Sequence, residues 1–401
     1  MDKNKVFSRL ILFFLVAIPY FPLFGEIDRI ASQWAILSLF NFLGLVFIFI
    51  NYKESLFKEM IETKPIIFFG LFLLSALLSF VKSVNITESL VEFFRHSSVF
   101  ILLIILPILI KNNRNNIFLI GLLIGFSIID IIGLYVQNIQ GLPPIGFTGN
   151  KNIASASLLL KSSSILFLLN RYKNIFVMIF CILFSISSYL TVFTIGSKAG
   201  FLTSCIIISI LIITLFLRDY KFKMNLILIF SILTSSLISL NLNNNLEKNA
   251  VDTFNYLNDQ GSVDRLRYYS QAIESFIENP FLGIGLGNWK IYSIKYDSPN
   301  MINYIVPYHS HNDYLQLLAE IGIGSIFYLL FIISIFILIY KTFKNFNDLK
   351  EIEKIILLIA FLSMTVYLVD SSLNFPAARV VMQLNLASIL ALIISVKKDL
   401  K

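Results

Sequence analysis

The stretch PYHSHNDYLQLLAEIGIGSIFYLLFIISIFILIY, residues 307–340, joins a polar loop to a long apolar run. The run from Ile321 to Tyr340 is long enough to cross a bilayer as a helix, which takes about 20 apolar residues. Two of the chain's 3 histidines, His309 and His311, stand just before this run. Histidine is the side chain best suited to proton transfer near neutral pH, so the boundary predicts a site of acid–base chemistry.

The rest of the chain has the composition of a polytopic membrane protein. Of its 401 residues, 57% are hydrophobic and 14% are charged, and the mean hydropathy is +0.80. Soluble proteins carry about 25% charged residues. The net charge is +8, but the basic residues are scattered among loops rather than clustered in one patch, so we expect no nucleic-acid partner. Cys181 and Cys205 both fall in apolar runs, and we expect neither a disulfide nor a metal cluster.

Apolar runs of spanning length predict an all-α fold with about twelve transmembrane helices. The first run follows a basic start but lacks a small-residue cleavage site, so we interpret it as a retained helix. The sixth contains Lys161 and a serine cluster, and we expect it to face other helices rather than lipid. The runs lie at about 7–25, 33–51, 65–82, 96–110, 116–137, 153–170, 174–195, 199–217, 223–242, 314–340, 355–371 and 380–396.

Lys and Arg are concentrated in alternate connections between these runs, which predicts that both termini are cytoplasmic. The predicted organisation is a membrane bundle of nine helices at 1–242, an extracytoplasmic loop with short helices at 243–313, and three further helices at 314–401. Within the loop, residues 263–278 have helical spacing, and Asn279-Pro280 ends the helix. The glycines that follow, at 283, 285 and 287, predict tight turns that bring the backbone close to the bundle.

Ionisable side chains gather where the outer loops meet the helices. The excess of cations among them indicates an anionic ligand, and guanidinium groups bind phosphate through paired hydrogen bonds. A histidine beside them can accept a proton from a hydroxyl group. A metal site built on the two histidines and Asp313 is a weaker alternative, because no third strong ligand is evident. The ionisable residues at these loop ends are Lys151, Lys198, Arg265, Arg267, His309, His311, Asp313, Glu320 and Arg379.

Four segments at these loop ends carry a family resemblance. They are HNDYLQLLAEIGIG at 311–324, the segment led by Arg265 that runs to Gly287, FTGNKN at 147–152 and IGSKAG at 195–200. Together they resemble the motifs of the bacterial O-antigen ligase and O-antigen polymerase superfamily, over roughly residues 145–325. That family usually has arginine where Lys198 stands, tryptophan where Tyr269 stands and proline where Lys151 stands.

The resemblance implies a GT-C-like membrane glycosyltransferase that needs no metal or nucleotide cofactor. Its donor would be a glycan on undecaprenyl diphosphate, and its acceptor a sugar hydroxyl, on the lipid A core for a ligase. Arg265 would hold the diphosphate, and His311 would accept the hydroxyl proton, with inversion at the anomeric carbon. The resemblance further implies residues that bind the diphosphate or the glycan, namely Lys198, Arg267, Arg379, Asn152, Tyr314 and Glu320. For Glu320, ordering of the loop through a buried hydrogen bond is an equal alternative.

Other functions stay open from the sequence. An O-antigen polymerase and a protein O-oligosaccharyltransferase belong to the same resemblance, and a flippase or transporter of lipid-linked sugars is an alternative of a different class. The transporter is disfavoured, because the polar candidates gather at one face instead of lining a path across the membrane. We expect the chain in the bacterial inner membrane, in contact with the bilayer, with its active site on the periplasmic face.

Overall fold

The computed structural model describes residues 3–21, 29–113, 115–216, 225–242, 247–248, 251, 260–297 and 307–396. Regular structure within these ranges is entirely helical, which confirms the predicted all-α class. The helices are α1 (Lys3–Ala17), α2 (Arg29–Asn51), α3 (Glu54–Ile61), α4 (Lys64–Leu78), α5 (Ile86–Asn113), α6 (Asn116–Ile139), α7 (Lys151–Ser162), α8 (Ile165–Arg171), α9 (Ile175–Thr194), α10 (Lys198–Leu215), α11 (Asn225–Leu242), α12 (Gln260–Glu278), α13 (Trp289–Tyr292), α14 (Ile294–Asp297), α15 (Asp313–Ile321), α16 (Ile326–Lys344), α17 (Glu351–Leu373) and α18 (Val380–Val396).

Ten helical segments among the described residues are long and apolar enough to cross a membrane. The expected runs at 7–25 and 380–396 form shorter helices, α1 and α18, of 15 and 17 residues. α1 stops at Ala17 because Pro19 follows in a 3₁₀ turn. The ten are Arg29–Asn51, Lys64–Lys82, Ile86–Lys111, Asn116–Ile139, Lys151–Arg171, Ile175–Thr194, Lys198–Leu215, Asn225–Leu242, Asp313–Lys344 and Glu351–Leu373.

α18 is the central helix of the bundle. Nearly every side chain from Val380 to Val396 is buried, and the helix packs against α5, α7 and α17. A helix that is apolar on all sides is stable where protein surrounds it. Its buried polar groups are paired, since Nε2 of Gln383 donates to the hydroxyl of Tyr367 at 3.0 Å. A helix in this position has no need to match the thickness of the bilayer.

α7 and α8 together form the least apolar span, and this span is the most enclosed. Of the apolar window in Lys151–Arg171, 89% is buried inside the protein, which confirms that it faces other helices. Lys161 forms a buried ion pair with Asp130 of α6, and its Nζ lies 2.7 Å from the hydroxyl of Tyr20. The pair fixes α7 against α6, so the residues at the start of α7 have a set position.

The predicted outer loop is described at 260–297 and from 307 onward, and its earlier part lies outside the described residues. α12 begins at Gln260, three residues before the predicted start, and ends at Glu278, before Asn279-Pro280, as predicted. It packs against α15, the short helix that leads into α16. The loop therefore brings α12 and the histidine motif together at one end of the bundle.

Candidate active site at the start of α15

The histidine motif opens with a tight turn at the start of α15. Asn312 caps this helix, because its Oδ1 accepts a hydrogen bond from N of Leu315 at 3.1 Å. The Oγ of Ser310 donates to O of Asn312 at 2.9 Å and closes the turn. His311 has a φ of 59°, the one positive φ at a non-glycine residue in the described ranges. This conformation costs about 1–2 kcal/mol, so the surrounding contacts must hold it.

Tyr269 of α12 supplies one of these contacts. Its hydroxyl lies 3.0 Å from O of His311 and 3.2 Å from O of Ser372, within donating distance of both. The side-chain Nδ2 of Asn312 donates to the same O of Ser372 at 3.1 Å. These bonds tie α12, the histidine turn and the C-terminal end of α17 at one point.

The imidazole of His311 lies among aromatic rings. Its centroid is 5.1 Å from that of Phe375 at an interplanar angle of 76°, and 6.4 Å from that of Tyr268 at 17°. Its Nδ1 is buried and pairs with no other described residue. Burial first, and then the charge of Arg265, lower the pKa of His311 from 6.5 to about 4. The imidazole is therefore neutral near pH 7 and able to accept a proton.

Arg265 is half-buried on α12, close enough for its charge to act on His311, Asp370 and Lys151. Asp370 is 1% exposed, and its Oδ1 accepts a hydrogen bond from Nδ2 of Asn374 at 2.6 Å. Its Oδ2 has no hydrogen-bond partner in the described part of the chain. Arg265 thus lies between a neutral base and a buried carboxyl group at the end of α17.

Two lysines extend the positive charge toward the bundle. Ser197 caps α10 by accepting a hydrogen bond from N of Gly200 at 3.0 Å, which sets Lys198 in the first turn. A Cβ at Gly200 would lie 3.2 Å from Cβ of Ser155, so the glycine lets α10 approach α7 closely. The charges of Lys198 and Arg265 both act on Lys151 at the start of α7. The helix starts add partial positive charge, and the cluster favours an anion.

Asn152 connects this cluster to Asp370. Asn150 caps α7 with hydrogen bonds from N of Asn152 at 2.9 Å and N of Ile153 at 3.3 Å. The Nδ2 of Asn152 then donates to Oδ1 of Asn374 at 3.3 Å, and Asn374 in turn donates to Asp370. The structure thereby brings Asn152, Lys198, Arg265 and His311 to one locality.

Arg267 and Arg379 reach the site through the rings that flank His311. Arg267 forms an ion pair with Asp264 at 3.4 Å and lies over Tyr268, 5.3 Å from the ring centroid. Arg379 lies over Phe375 at 5.0 Å. Tyr268 and Phe375 therefore each contact a guanidinium group as well as the histidine.

Tyr314, in the first turn of α15, and Glu320, near its end, contact other parts of the protein. The ring of Tyr314 is 6.2 Å from that of Tyr328 and lines an apolar groove with Phe276. The carboxylate of Glu320 accepts hydrogen bonds from N of Gly287 at 2.8 Å and N of Trp289 at 3.2 Å. This arrangement favours the alternative in which Glu320 orders the loop.

The glycine-rich segment before α13 forms the predicted tight turns. Gly283, Gly285 and Gly287 have φ values of 65°, 95° and 75°. A Cβ at Gly285 would lie 2.4 Å from Oγ of Ser83, and one at Gly287 would lie 2.7 Å from Cγ of Glu92. Both the backbone conformation and the lack of space require glycine, which confirms the prediction.

Sequence reasoning missed the polar end of α17. Asp370, Asn374 and Phe375 were not predicted as site residues, although Asn374 links Asp370 to α7 and Phe375 contacts both histidines of the motif. His309 itself stacks on Phe375, with centroids 4.1 Å apart, and lines a polar cavity of about 40 Å³. That volume holds about one water molecule. The available signal was the polar run DSSLNFP, residues 370–376, at the end of an apolar span.

Comparison with known proteins gives a match to the family that the motifs resemble. A family model described as O-antigen ligase matches residues 179–330, which include Lys198, Arg265 and His311. No curated protein matches the chain. Asn152 and Arg379 lie outside the matched range. On its motifs, its helical membrane fold and this match over residues 179–330, the chain is similar to the O-antigen ligase and polymerase superfamily.

Proposed function

We propose that the protein is a glycosyltransferase that moves a glycan from undecaprenyl diphosphate to a sugar hydroxyl, with the lipid A core as acceptor. The observation that carries the proposal is the proximity of Arg265 to a neutral, half-buried His311 whose Nδ1 finds no partner among the described residues. The first group suits a diphosphate, and the second suits a hydroxyl proton. The family match supports a lipid-linked glycan as substrate.

In this proposal the cations hold the leaving group. When the glycosyl bond breaks, negative charge grows on the diphosphate, and Arg265 with Lys198 stabilises it at short range. Arg379 adds charge from the far side of the site. A lysine at 198 acts as a point charge, so the paired hydrogen bonds to phosphate fall to Arg265.

His311 accepts the proton of the acceptor hydroxyl as that oxygen attacks the anomeric carbon. The diphosphate leaves from the opposite face, so the anomeric centre inverts. The pKa of about 4 describes the site without donor. A bound diphosphate offsets the charge of Arg265, and this raises the pKa of His311 and its strength as a base when the donor is present. Arg267, Asn152 and Tyr269 position these groups.

The proposal also fixes a location for the site. Alternation of Lys and Arg between the spans supports a location in which both termini are in the cytoplasm and the histidine turn is on the periplasmic face of the inner membrane. Undecaprenyl-linked glycan on that face would reach Arg265 from the outer leaflet.

The test uses the full chain in detergent with a synthetic undecaprenyl-diphosphate glycan and a lipid A–core acceptor, and product is measured by mass spectrometry. We expect transfer without added metal. Arg265→Gln and His311→Asn should each lose about 100-fold or more in kcat/KM. Asparagine tolerates positive φ, so the second variant keeps the turn. Lys295→Gln removes a positive charge from the same outer segment, where Lys295 pairs with Glu278, and serves as the control.

Full activity of Arg265→Gln at normal protein level would contradict the proposal. Joining of donor glycans to one another would assign the polymerase activity that the same family contains. In cells, accumulation of donor on the cytoplasmic face in the His311→Asn strain would indicate a flippase instead, because a transferase variant should accumulate donor on the outer face.

A further inference from the structure

α12 presents its apolar side chains outward. Val263, Leu266, Ile273 and Ile277 are 38%, 42%, 44% and 69% exposed, and Phe281, just beyond the helix, is 77% exposed. Their spacing in steps of 3, 4 and 7 places them on one side of the helix. We call these five residues the outer apolar stripe.

The opposite side of α12 is buried and carries both apolar and polar residues, and Tyr268 and Ala272 there are 8% and 0% exposed. Ser262, Gln271 and Ser275 are 1%, 6% and 0% exposed, and Arg265 also lies away from the stripe. A helix on a water-facing surface buries its apolar side and exposes its polar side. On α12 the five apolar residues of the stripe are exposed, interspersed with the exposed Ser270 and Glu274, and an exposed apolar surface marks contact with another apolar phase or partner.

α12 lies next to a membrane span. An apolar groove of about 240 Å³ separates α12 from α15 and α16, and Phe276, Leu318 and Ile323 line it. From this groove along α16, the side chains of Ile326, Leu329, Ile333 and Ile337 are 44%, 38%, 41% and 43% exposed. α16 belongs to a spanning segment, so these side chains face lipid. Through Phe276 of α12 and Ile326 and Leu329 of α16, which line the same groove, α12 lies beside the lipid-facing side of α16.

We propose that α12 lies in the leaflet nearest the site, with the outer apolar stripe among the lipid acyl chains. An amphipathic helix in this position buries its apolar side about 5–10 Å into the boundary between headgroups and chains. The edge that faces water carries the polar network in which Glu278 binds Lys295 at 2.7 Å and Tyr292 at 3.0 Å. Tyrosine and lysine are typical of the membrane interface.

This placement sets the depth of the active site. The helix is about 10 Å across, so Arg265, on the side away from the stripe, comes to lie at the level of the lipid phosphates. A diphosphate attached to a prenyl chain would then reach the guanidinium without leaving the leaflet. This last step rests on the proposed function, whereas the seating of α12 in lipid does not.

The test places a spin label at single cysteines in lipid nanodiscs, on a background in which Cys181 and Cys205 are replaced by serine. Ile273→Cys and Ile277→Cys report the stripe, and Glu278→Cys reports the polar edge one residue on. We expect the labels at the stripe to be severalfold more accessible to oxygen than to a water-soluble nickel chelate, with the order reversed at Glu278→Cys. All three positions are exposed, so labelling leaves the packing intact.

Equal access of the nickel chelate to Ile277→Cys and Glu278→Cys would show that the stripe faces water and would overturn the inference. Exclusion of both reagents from the stripe would overturn it as well, because it would assign the surface to a second copy of the chain or another protein. The measurement needs no catalysis, so its failure would leave the proposed transfer reaction standing, and failure of transfer would leave the seating of α12 standing.

Discussion

Replacement of Glu320 by alanine should release the glycine-rich segment from α15. The carboxylate accepts hydrogen bonds from N of Gly287, N of Trp289 and Nε2 of Gln316, at 2.8, 3.2 and 3.2 Å. Alanine leaves two buried backbone N–H groups without an acceptor. Each such group costs about 1–3 kcal/mol, so we expect the two together to lower the stability of the closed segment by about 2–6 kcal/mol. The loss should appear as local opening of the segment before the bundle unfolds.

Trp289 reports the opening directly, because its side chain is 0% exposed in the closed segment. We expect a red shift of the tryptophan emission in Glu320→Ala and a thermal midpoint about 5 °C below that of the unaltered protein. Glu320→Gln is the matched variant. It keeps one carbonyl acceptor and turns an amide N–H toward the second donor, so about half of the effect should remain.

Transfer activity distinguishes ordering of the loop from contact with substrate. If Glu320 positions the loop, activity should fall together with the midpoint and the emission shift across the two variants. Lost activity with an unchanged midpoint and unchanged emission would refute the reasoning and would assign the carboxylate to the substrate.

Three further predictions concern the turns and the histidine. Gly285→Ala should cost about 2–5 kcal/mol in the free energy of unfolding and lower the thermal midpoint, because Gly285 has a φ of 95° and the added Cβ would clash with Ser83. Gly121→Ala is the control and should be neutral, because Gly121 has open space around it. Equal midpoints for the two variants would contradict the tight turn. Tyr269→Phe should lower kcat about tenfold at normal protein level by loosening the turn at His311, and an unchanged kcat would argue against this role. In the pH profile of kcat/KM, the fall in activity on the acid side should lie below pH 5, because burial and Arg265 lower the pKa of His311 to about 4. In the profile of kcat, the same fall should lie at higher pH, because donor is bound. A fall in kcat/KM near pH 6.5 would exclude an unprotonated His311 of low pKa.

The sequence predicts much of the helical architecture, because a bilayer leaves the backbone few alternatives to the helix. The end of α12 at Asn279 and the tight turns at 283–287 also follow from local chemistry. Hydropathy does not distinguish a lipid-facing helix from one enclosed by protein, so the central position of α18 was not predictable. The same limit hides which side of α12 is buried.

The residues of the candidate site were also predictable only in part. Arg265, Lys198 and His311 were identifiable because charged and titratable groups are rare near membrane spans. The link from Asn152 to Asn374 joins residues 222 positions apart, and only the packing of α7 against α17 brings them together. Tyr314 and Glu320 follow His311 closely in sequence, yet the turn of α15 points them toward an apolar groove and the glycine-rich segment.

The position of α18 has a consequence for biosynthesis. The helices that enclose it precede it in the chain, so until it emerges they surround an unfilled axis. Until then the hydroxyl of Tyr367 lacks the hydrogen bond from Gln383, and that of Ser157 lacks the hydrogen bond from Asn385. Insertion of α18 is therefore the step that locks the bundle. A substitution that delays its entry would leave an assembled but open intermediate, which membrane quality control would remove before any loss of catalysis could be measured.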